Sequence, residues 1–132
     1  MKDLFAKNEA IVKKAYMFAE KKHRNQKDDN GFPYFTAHVC QVARIIDTIC
    51  SEDAILIQSA FLHDLIEDTN TTYDEIKNKF GYEVADLVME VTHEGDKTKG
   101  YYFPRLHTQR GIILKLADRH QRGKIKGSGD NR

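Results

Sequence analysis

The segment Phe61-Leu62-His63-Asp64-Leu65-Ile66-Glu67-Asp68-Thr69 sets one imidazole and three carboxylates into an otherwise apolar stretch. Such groups are costly to bury unless something binds them. In a continuous helix each side chain turns by about 100° from the last, so with His63 at zero Glu67 falls near roughly 40°, Asp64 near roughly 100° and Asp68 near roughly 140°. All four then share one face, and Phe61, Leu62, Leu65 and Ile66 take the opposite arc toward a core. This is the pattern of half a metal site. A His-Asp pair alone says little, since chance supplies one in roughly one of ten chains of this length at ordinary composition. The two further acids and the apolar runs Ala54-Ile55-Leu56-Ile57 and Ala60-Phe61-Leu62 upstream make a solvated helix face a poor explanation.

The elements that must position this segment can be read from apolar spacing. Ile11, Ala15, Phe18 and Ala19 predict a first helix ending near Lys22. A polar loop runs from His23 to Tyr34, closed by Gly31 and Pro33. Val39, Val42, Ala43, Ile46 and Cys50 predict a second helix, with Thr36 as its candidate cap and His38 in its first turn. The third helix runs from about Asp53 through the segment above; as the most apolar, it should be central. Thr72-Tyr73-Asp74-Glu75 reads as a capping box, and Gly81 as a stop after Phe80. Val84, Leu87, Val88 and Val91 make another buried stripe. The stretch from His93 to Pro104, with Gly95, Gly100 and two lysines, reads as an exposed loop. Ile112, Ile113, Leu116 and Ala117 start the last helix, which carries Asp118. No strand-like alternation competes and no repeat is present. The fold expected is all-α, a single bundle of about six helices over residues 1–119, followed by a poorly ordered basic, glycine-containing tail at 120–132.

Composition agrees with one domain: 132 residues with 40% hydrophobic content suit a single core. With 21 basic and 20 acidic residues there is no general attraction to nucleic acid or to a membrane surface. From Arg119 to Arg132 five basic residues face one acidic, which a solvated terminus explains. Cys40 and Cys50, on one helix, would lie about 15 Å apart along its axis and cannot pair there. No apolar segment is long enough for a signal peptide or a membrane span. A reducing cytoplasm is the expected location.

His38, the His63-Asp64 pair and Asp118 lie on three different expected helices, an arrangement by which a helical domain converges ligands on one ion. Two imidazoles and two carboxylates suit Mn²⁺, Fe²⁺ or Zn²⁺. They leave coordination positions open, where a bound water can lose a proton and attack phosphorus. Glu67 and Asp68, one turn on, are placed to handle protons. Two plainer readings stay open on spacing alone. His38 could cap or line a core, and Asp118, next to Arg119, could form a surface ion pair of little worth.

The chain resembles the HD-domain metal-dependent phosphohydrolases, and within them the hydrolase domain of the RelA/SpoT type and the small alarmone hydrolases. The residues that carry the resemblance are Gly31-Phe32-Pro33-Tyr34 leading to His38 and Val42-Ala43, then Ala60 to Asp64 through Glu67-Asp68-Thr69, Thr72, Phe80-Gly81, Val91-Thr92, and Leu114 to Arg119. The resemblance implies that His38, His63, Asp64 and Asp118 hold one ion, normally Mn²⁺, with Glu67 and Asp68 as the catalytic acids. It implies a small phosphorylated nucleotide as partner, and removal of the 3′-pyrophosphate of guanosine tetra- or pentaphosphate by water, leaving GDP or GTP.

Two departures fall on substrate recognition. The family usually has an arginine two positions after the glutamine matching Gln26, packing on the guanine; here Asp28 stands there, followed by Asp29, and an acidic pair cannot replace a planar cation. Arg24 and Lys27 are the candidate substitutes for substrate binding. Four residues beyond the aspartate matching Asp118 the family normally has an asparagine in a continuing helix. This chain has Arg122, then Gly123, Gly127 and Gly129, and glycines oppose a helix at about 1 kcal/mol each. Two functions are therefore expected to compete: a nucleotide phosphohydrolase, for the alarmone or another nucleotide, and a non-catalytic domain that binds metal and nucleotide.

Overall fold

In the computed structural model, which describes residues 9–126, the apolar stripes become helices in the expected order. Helix α1 (Glu9–Lys22) buries Val12, Ala15 and Ala19, whereas Ile11 points outward. After the polar stretch 23–34 comes one π-helical turn, Phe35–Val39, which runs directly into α2 (Cys40–Ile49). Thr36 is not the cap its position suggested. It lies inside the π turn, and its hydroxyl donates to Pro33 O at 3.3 Å. The turn is closed by the Cys40 N–H donating to Phe35 O. This wider turn directs Phe35, His38 and Val39 into the core.

Helix α3 (Ala54–Leu62) starts at Asp53, whose carboxylate accepts the Leu56 N–H at 3.0 Å. Its residues from Leu56 to Leu62 are all buried, and α1 and α2 pack against it. The helix expected to continue through Thr69 instead breaks at His63-Asp64, and α4 is the single turn Leu65–Asp68. Asp64 sits at φ −99° and ψ −1°, in the sparsely populated bridge region. Angles counted along one continuous helix therefore do not carry across the break.

Helix α5 (Tyr73–Phe80) is capped by Thr72, whose hydroxyl accepts the Glu75 N–H at 3.2 Å. The Glu75 carboxylate, cast as the other half of a capping box, faces Lys22 at 3.5 Å instead. Gly81 ends α5 at φ +93°, a conformation open to glycine and strained for other residues. Helix α6 (Tyr82–Glu90) then buries Val84, Ala85, Leu87 and Val88 against α3.

The stretch read as a loop forms a small antiparallel hairpin, β1 (Glu94–Asp96) with β2 (Gly100–Tyr102), in the register Glu94↔Tyr102 and Asp96↔Gly100. Strands of three residues carry too little alternation to announce themselves. Helix α7 (Gln109–Lys126) starts beneath the buried Glu90, whose carboxylate accepts the N–H groups of His107 (3.0 Å) and Thr108 (2.7 Å). Gly111 makes this approach possible: a Cβ there would stand 2.0 Å from Glu90 Oε2.

Helix α7 extends past the expected domain end at residue 119. Its inward face is Leu114, Lys115, Ala117, Asp118, Gln121 and Arg122, while Ile112 and Leu116 are exposed. One glycine, Gly123, costs about 1 kcal/mol in a helix, a penalty that the buried contacts of Gln121 and Arg122 offset. Gly127 and Gly129, with the rest of the expected tail, lie outside the described residues. Among those described, six helices of eight residues or more, two single-turn segments and the hairpin make up the helical bundle. None of these helices is long and apolar enough to cross a membrane.

Candidate metal centre

The π turn, the break between α3 and α4, and the inward face of α7 bring His38, His63, Asp64 and Asp118 together. One ligand atom from each lies within 4.8 Å of the others, and all four residues are buried. Each imidazole is held by its outer nitrogen. His63 Nδ1 donates to Ala60 O at 2.7 Å, and His38 Nδ1 to Gln121 Oε1 at 3.3 Å. Both Nε2 atoms point inward, because acceptors behind the rings, Ala60 O and Gln121 Oε1, hold the Nδ1 side as they do for metal-binding imidazoles in general. Asp118 Oδ1 lies 2.7 Å from His38 Nε2 and 3.4 Å from His63 Nε2. Asp64 Oδ2 lies 3.2 Å from His63 Nε2 and 3.7 Å from His38 Nε2, and accepts the Tyr34 hydroxyl. Two imidazole nitrogens and two carboxylate oxygens converging on one point fit a divalent first-row ion.

Two buried cations border this cluster. Lys115 Nζ lies 2.8 Å from Asp118 Oδ2 and 4.0 Å from the centre of the Phe103 ring. Arg122 Nε reaches Asp118 Oδ1 at 3.0 Å, and its Nη2 reaches Asp64 Oδ2 at 3.3 Å and the Tyr34 hydroxyl at 2.8 Å. Burial opposes a charge on His63, but Asp64 and Asp118 outweigh it and push the imidazole up to about 10. Burial likewise opposes charge on the carboxylates. His63 and Arg122 nonetheless hold Asp64 well below the usual carboxylate range, and hydrogen bonds from His38 and His63, with Arg122, do the same for Asp118. An ion bound here would compete with the His63 proton.

The two further acids sit on α4. Glu67 Oε2 accepts the His93 N–H at 2.7 Å and lies 2.6 Å from His93 Nδ1, off the line of the ring N–H. The His93 ring packs edge-on against Tyr101 of the hairpin, with centroids 4.5 Å apart. Asp68 Oδ2 accepts Gln26 Nε2 at 3.2 Å, and Gln26 Oε1 in turn accepts His23 Nδ1 at 2.7 Å. Both acids are thus held by groups from outside α4.

The candidate substrate-binding cations are placed differently. Arg24, exposed just beyond the end of α1, pairs with Glu20 of that helix at 2.8 Å, and Lys27 is exposed in a short bridge to Pro33. Asp28, the acidic departure, has a local role. Its Oδ1 accepts the Asn30 and Phe32 N–H groups, each at 2.9 Å, and so shapes the turn leading to Tyr34.

Sequence reasoning missed Lys115 and Arg122 as neighbours of the ligands. Their signal was available: they stand three before and four after Asp118, on one helix face. Asp118 pairs with them rather than taking part in a surface pair with Arg119. Gln121, three residues after Asp118, carries the same signal, whereas His93 reaches Glu67 across 26 residues and Tyr34 reaches Asp64 across 30, and no local spacing marks those contacts.

Residues 15–101 match the HD domain family model, and the chain belongs to the HD-domain family. That match ends before α7, so Asp118 rests on the geometry. The chain is 46% identical over 124 residues to the GTP pyrophosphokinase rsh of Brucella melitensis, covering 85% of this chain and 16% of that protein. It is 37% identical over 125 residues to the guanosine-3′,5′-bis(diphosphate) 3′-pyrophosphohydrolase MESH1 of Xenopus tropicalis, covering 83% of this chain and 66% of that one. It therefore spans a minor part of the first relative and 66% of the second. Among solved structures it is similar to one described as a metazoan ortholog of SpoT that hydrolyzes ppGpp. The TM-score is 0.76 at 30% identity, over 87% of this chain and 69% of that chain.

Proposed function

We propose that this chain is a metal-dependent phosphohydrolase that removes the 3′-pyrophosphate of guanosine tetra- or pentaphosphate, with Mn²⁺ as its ion. The observation that carries this reading is the convergence of His38, His63, Asp64 and Asp118 within 4.8 Å, with two oriented acids on the adjoining turn. The names of the similar proteins support the substrate.

The four ligands would hold the ion, which would activate water and polarise a phosphoryl oxygen when bound. Glu67 and Asp68 handle the protons, one taking a proton from the attacking water and one returning it to the departing ribose oxygen. The water oxygen bonds to the phosphorus attached to the ribose 3′ oxygen, and the bond between that phosphorus and the 3′ oxygen breaks. GDP or GTP and pyrophosphate result. Gln26 and His93 fix the two acids in place. Cys40 and Cys50 are free thiols, which supports a reducing cytoplasm.

One observation favours the second reading, a non-catalytic metal- and nucleotide-binding domain: Arg122 occupies the carboxylates that the ion needs. The deciding experiment is pyrophosphate and orthophosphate release from guanosine tetraphosphate and a panel of ordinary nucleotides, with Mn²⁺ added to metal-stripped protein. Mn²⁺-dependent pyrophosphate release from the alarmone is expected. Release from another nucleotide alone changes the substrate and keeps the mechanism, whereas silence with metal bound establishes the binding domain.

A further inference from the structure

We propose that Arg122 is a resident counter-cation of the metal centre, competing with the divalent ion for Asp64 and Asp118 and thereby setting how tightly metal is held. The inference rests on the metal-centre reading and extends it to a residue outside the ligand set. Arg122 stands one helical turn beyond Asp118 on α7 and is 7% exposed, so its charge has almost no solvent to face. A buried guanidinium needs anionic partners, and here they are the two metal-site carboxylates.

Which oxygens it takes decides the matter. Asp118 Oδ1 and Asp64 Oδ2 are the oxygens turned toward the Nε2 atoms of His38 and His63. Arg122 bonds to those same two atoms, at 3.0 Å and 3.3 Å, and ties Tyr34 into the arrangement at 2.8 Å. Lys115 instead takes the outer oxygen, Asp118 Oδ2, at 2.8 Å. A lysine on the outer oxygen leaves the inward lone pairs to an ion, whereas a guanidinium on the inward oxygens uses them. An ion bound to these oxygens also comes within a few ångströms of a fixed positive charge in a buried site, where repulsion is poorly screened. Full coordination therefore requires Arg122 to loosen its hold. When metal is scarce, the same guanidinium neutralises two carboxylates that would otherwise be buried side by side.

The test uses the full chain, stripped of metal, with Mn²⁺ alone as the probe. Calorimetric titration gives its affinity, and thermal unfolding without metal gives the stability of the stripped protein. For Arg122→Gln the expected result is Mn²⁺ binding at least tenfold tighter than in the unsubstituted chain, together with a lower metal-free melting temperature. Arg122→Lys, which keeps the charge, should stay near the unsubstituted chain in both. Equal or weaker Mn²⁺ binding by Arg122→Gln overturns the proposal, because the guanidinium then orients the ligands instead of competing for them. Should Arg122→Gln be unfolded when stripped, circular dichroism during Mn²⁺ addition decides: refolding supports exchange of one cation for the other, and failure to refold overturns it. Absence of Mn²⁺ binding by every form overturns the metal centre itself, a result distinct from unchanged affinity.

Discussion

At His63 burial and charge oppose each other, and charge prevails. The imidazole is 4% exposed, yet Asp64 and Asp118 raise it to about 10, above the 6.5 of a free histidine. The folded pKa is the higher, so the stabilisation is complete below about 6.5 and is lost as pH rises through about 10. Metal-stripped protein should therefore melt at progressively lower temperature from pH 7 to pH 10, more steeply than its His63→Gln variant. An ion held by His63 would take the place of its proton, so with Mn²⁺ as the proposed ion the decline should vanish in the loaded protein, and Mn²⁺ affinity should rise over the same window. Melting curves across pH, with chelator and with Mn²⁺, check both signs; a flat stripped profile identical to that of His63→Gln would contradict them. The neighbouring acids separate binding from turnover. Asp64→Asn should weaken Mn²⁺ binding by at least tenfold, whereas Glu67→Gln should retain Mn²⁺ and lose at least a hundredfold in pyrophosphate release. Equal metal loss in both would make Glu67 a ligand or a support.

Among the elements, α7 has the least apolar inward face and the most demanding position, since it must deliver Asp118 and Arg122 together. Its start is fixed by Glu90, which receives two backbone N–H groups and the Thr108 hydroxyl at 2.7 Å. Glu90→Ala leaves those half-buried donors without their acceptor and should cost about 1–3 kcal/mol. Gly111→Ala drives a methyl to within 2.0 Å of Glu90 Oε2 and should cost roughly 1–3 kcal/mol. Both act on one contact, so the double variant should lose clearly less than the sum of the single losses, as measured by urea unfolding. Additive losses would show that Gly111 serves some purpose other than admitting Glu90. The helices themselves were legible, because buried stripes such as Val84, Leu87, Val88 and Val91 repeat at helical spacing. The irregular elements were not. The break at Asp64, the π turn around His38 and the hairpin at Glu94–Tyr102 are set by tertiary contacts over a few residues, where periodicity has no length to register. The π turn and the break are also the elements that aim His38 and His63 inward.

For the whole molecule, the four residues that the fold gathers as candidate ligands could be listed from residue types and the family resemblance, but their electrostatic setting could not. Charge counted along the chain is nearly balanced, whereas the fold gathers two carboxylates, two imidazoles and two cations into one buried site. That local balance bears on how the domain depends on metal. If the carboxylates faced each other alone, removing the ion would leave adjacent buried charges and the bundle would open around them. With Lys115 and Arg122 in place, stripped protein should remain folded and unfold in one cooperative transition. Mn²⁺ should then add stability by mass action, about 2.7 kcal/mol at a hundredfold excess over its dissociation constant. For a domain of this size that corresponds to a rise of roughly 5–15 °C in melting temperature, growing with the logarithm of Mn²⁺ concentration. Calorimetry with chelator and over a Mn²⁺ series measures this directly. A stripped protein without a cooperative transition would mean that the ion is a cornerstone of the fold and that the two buried cations do not stand in for it.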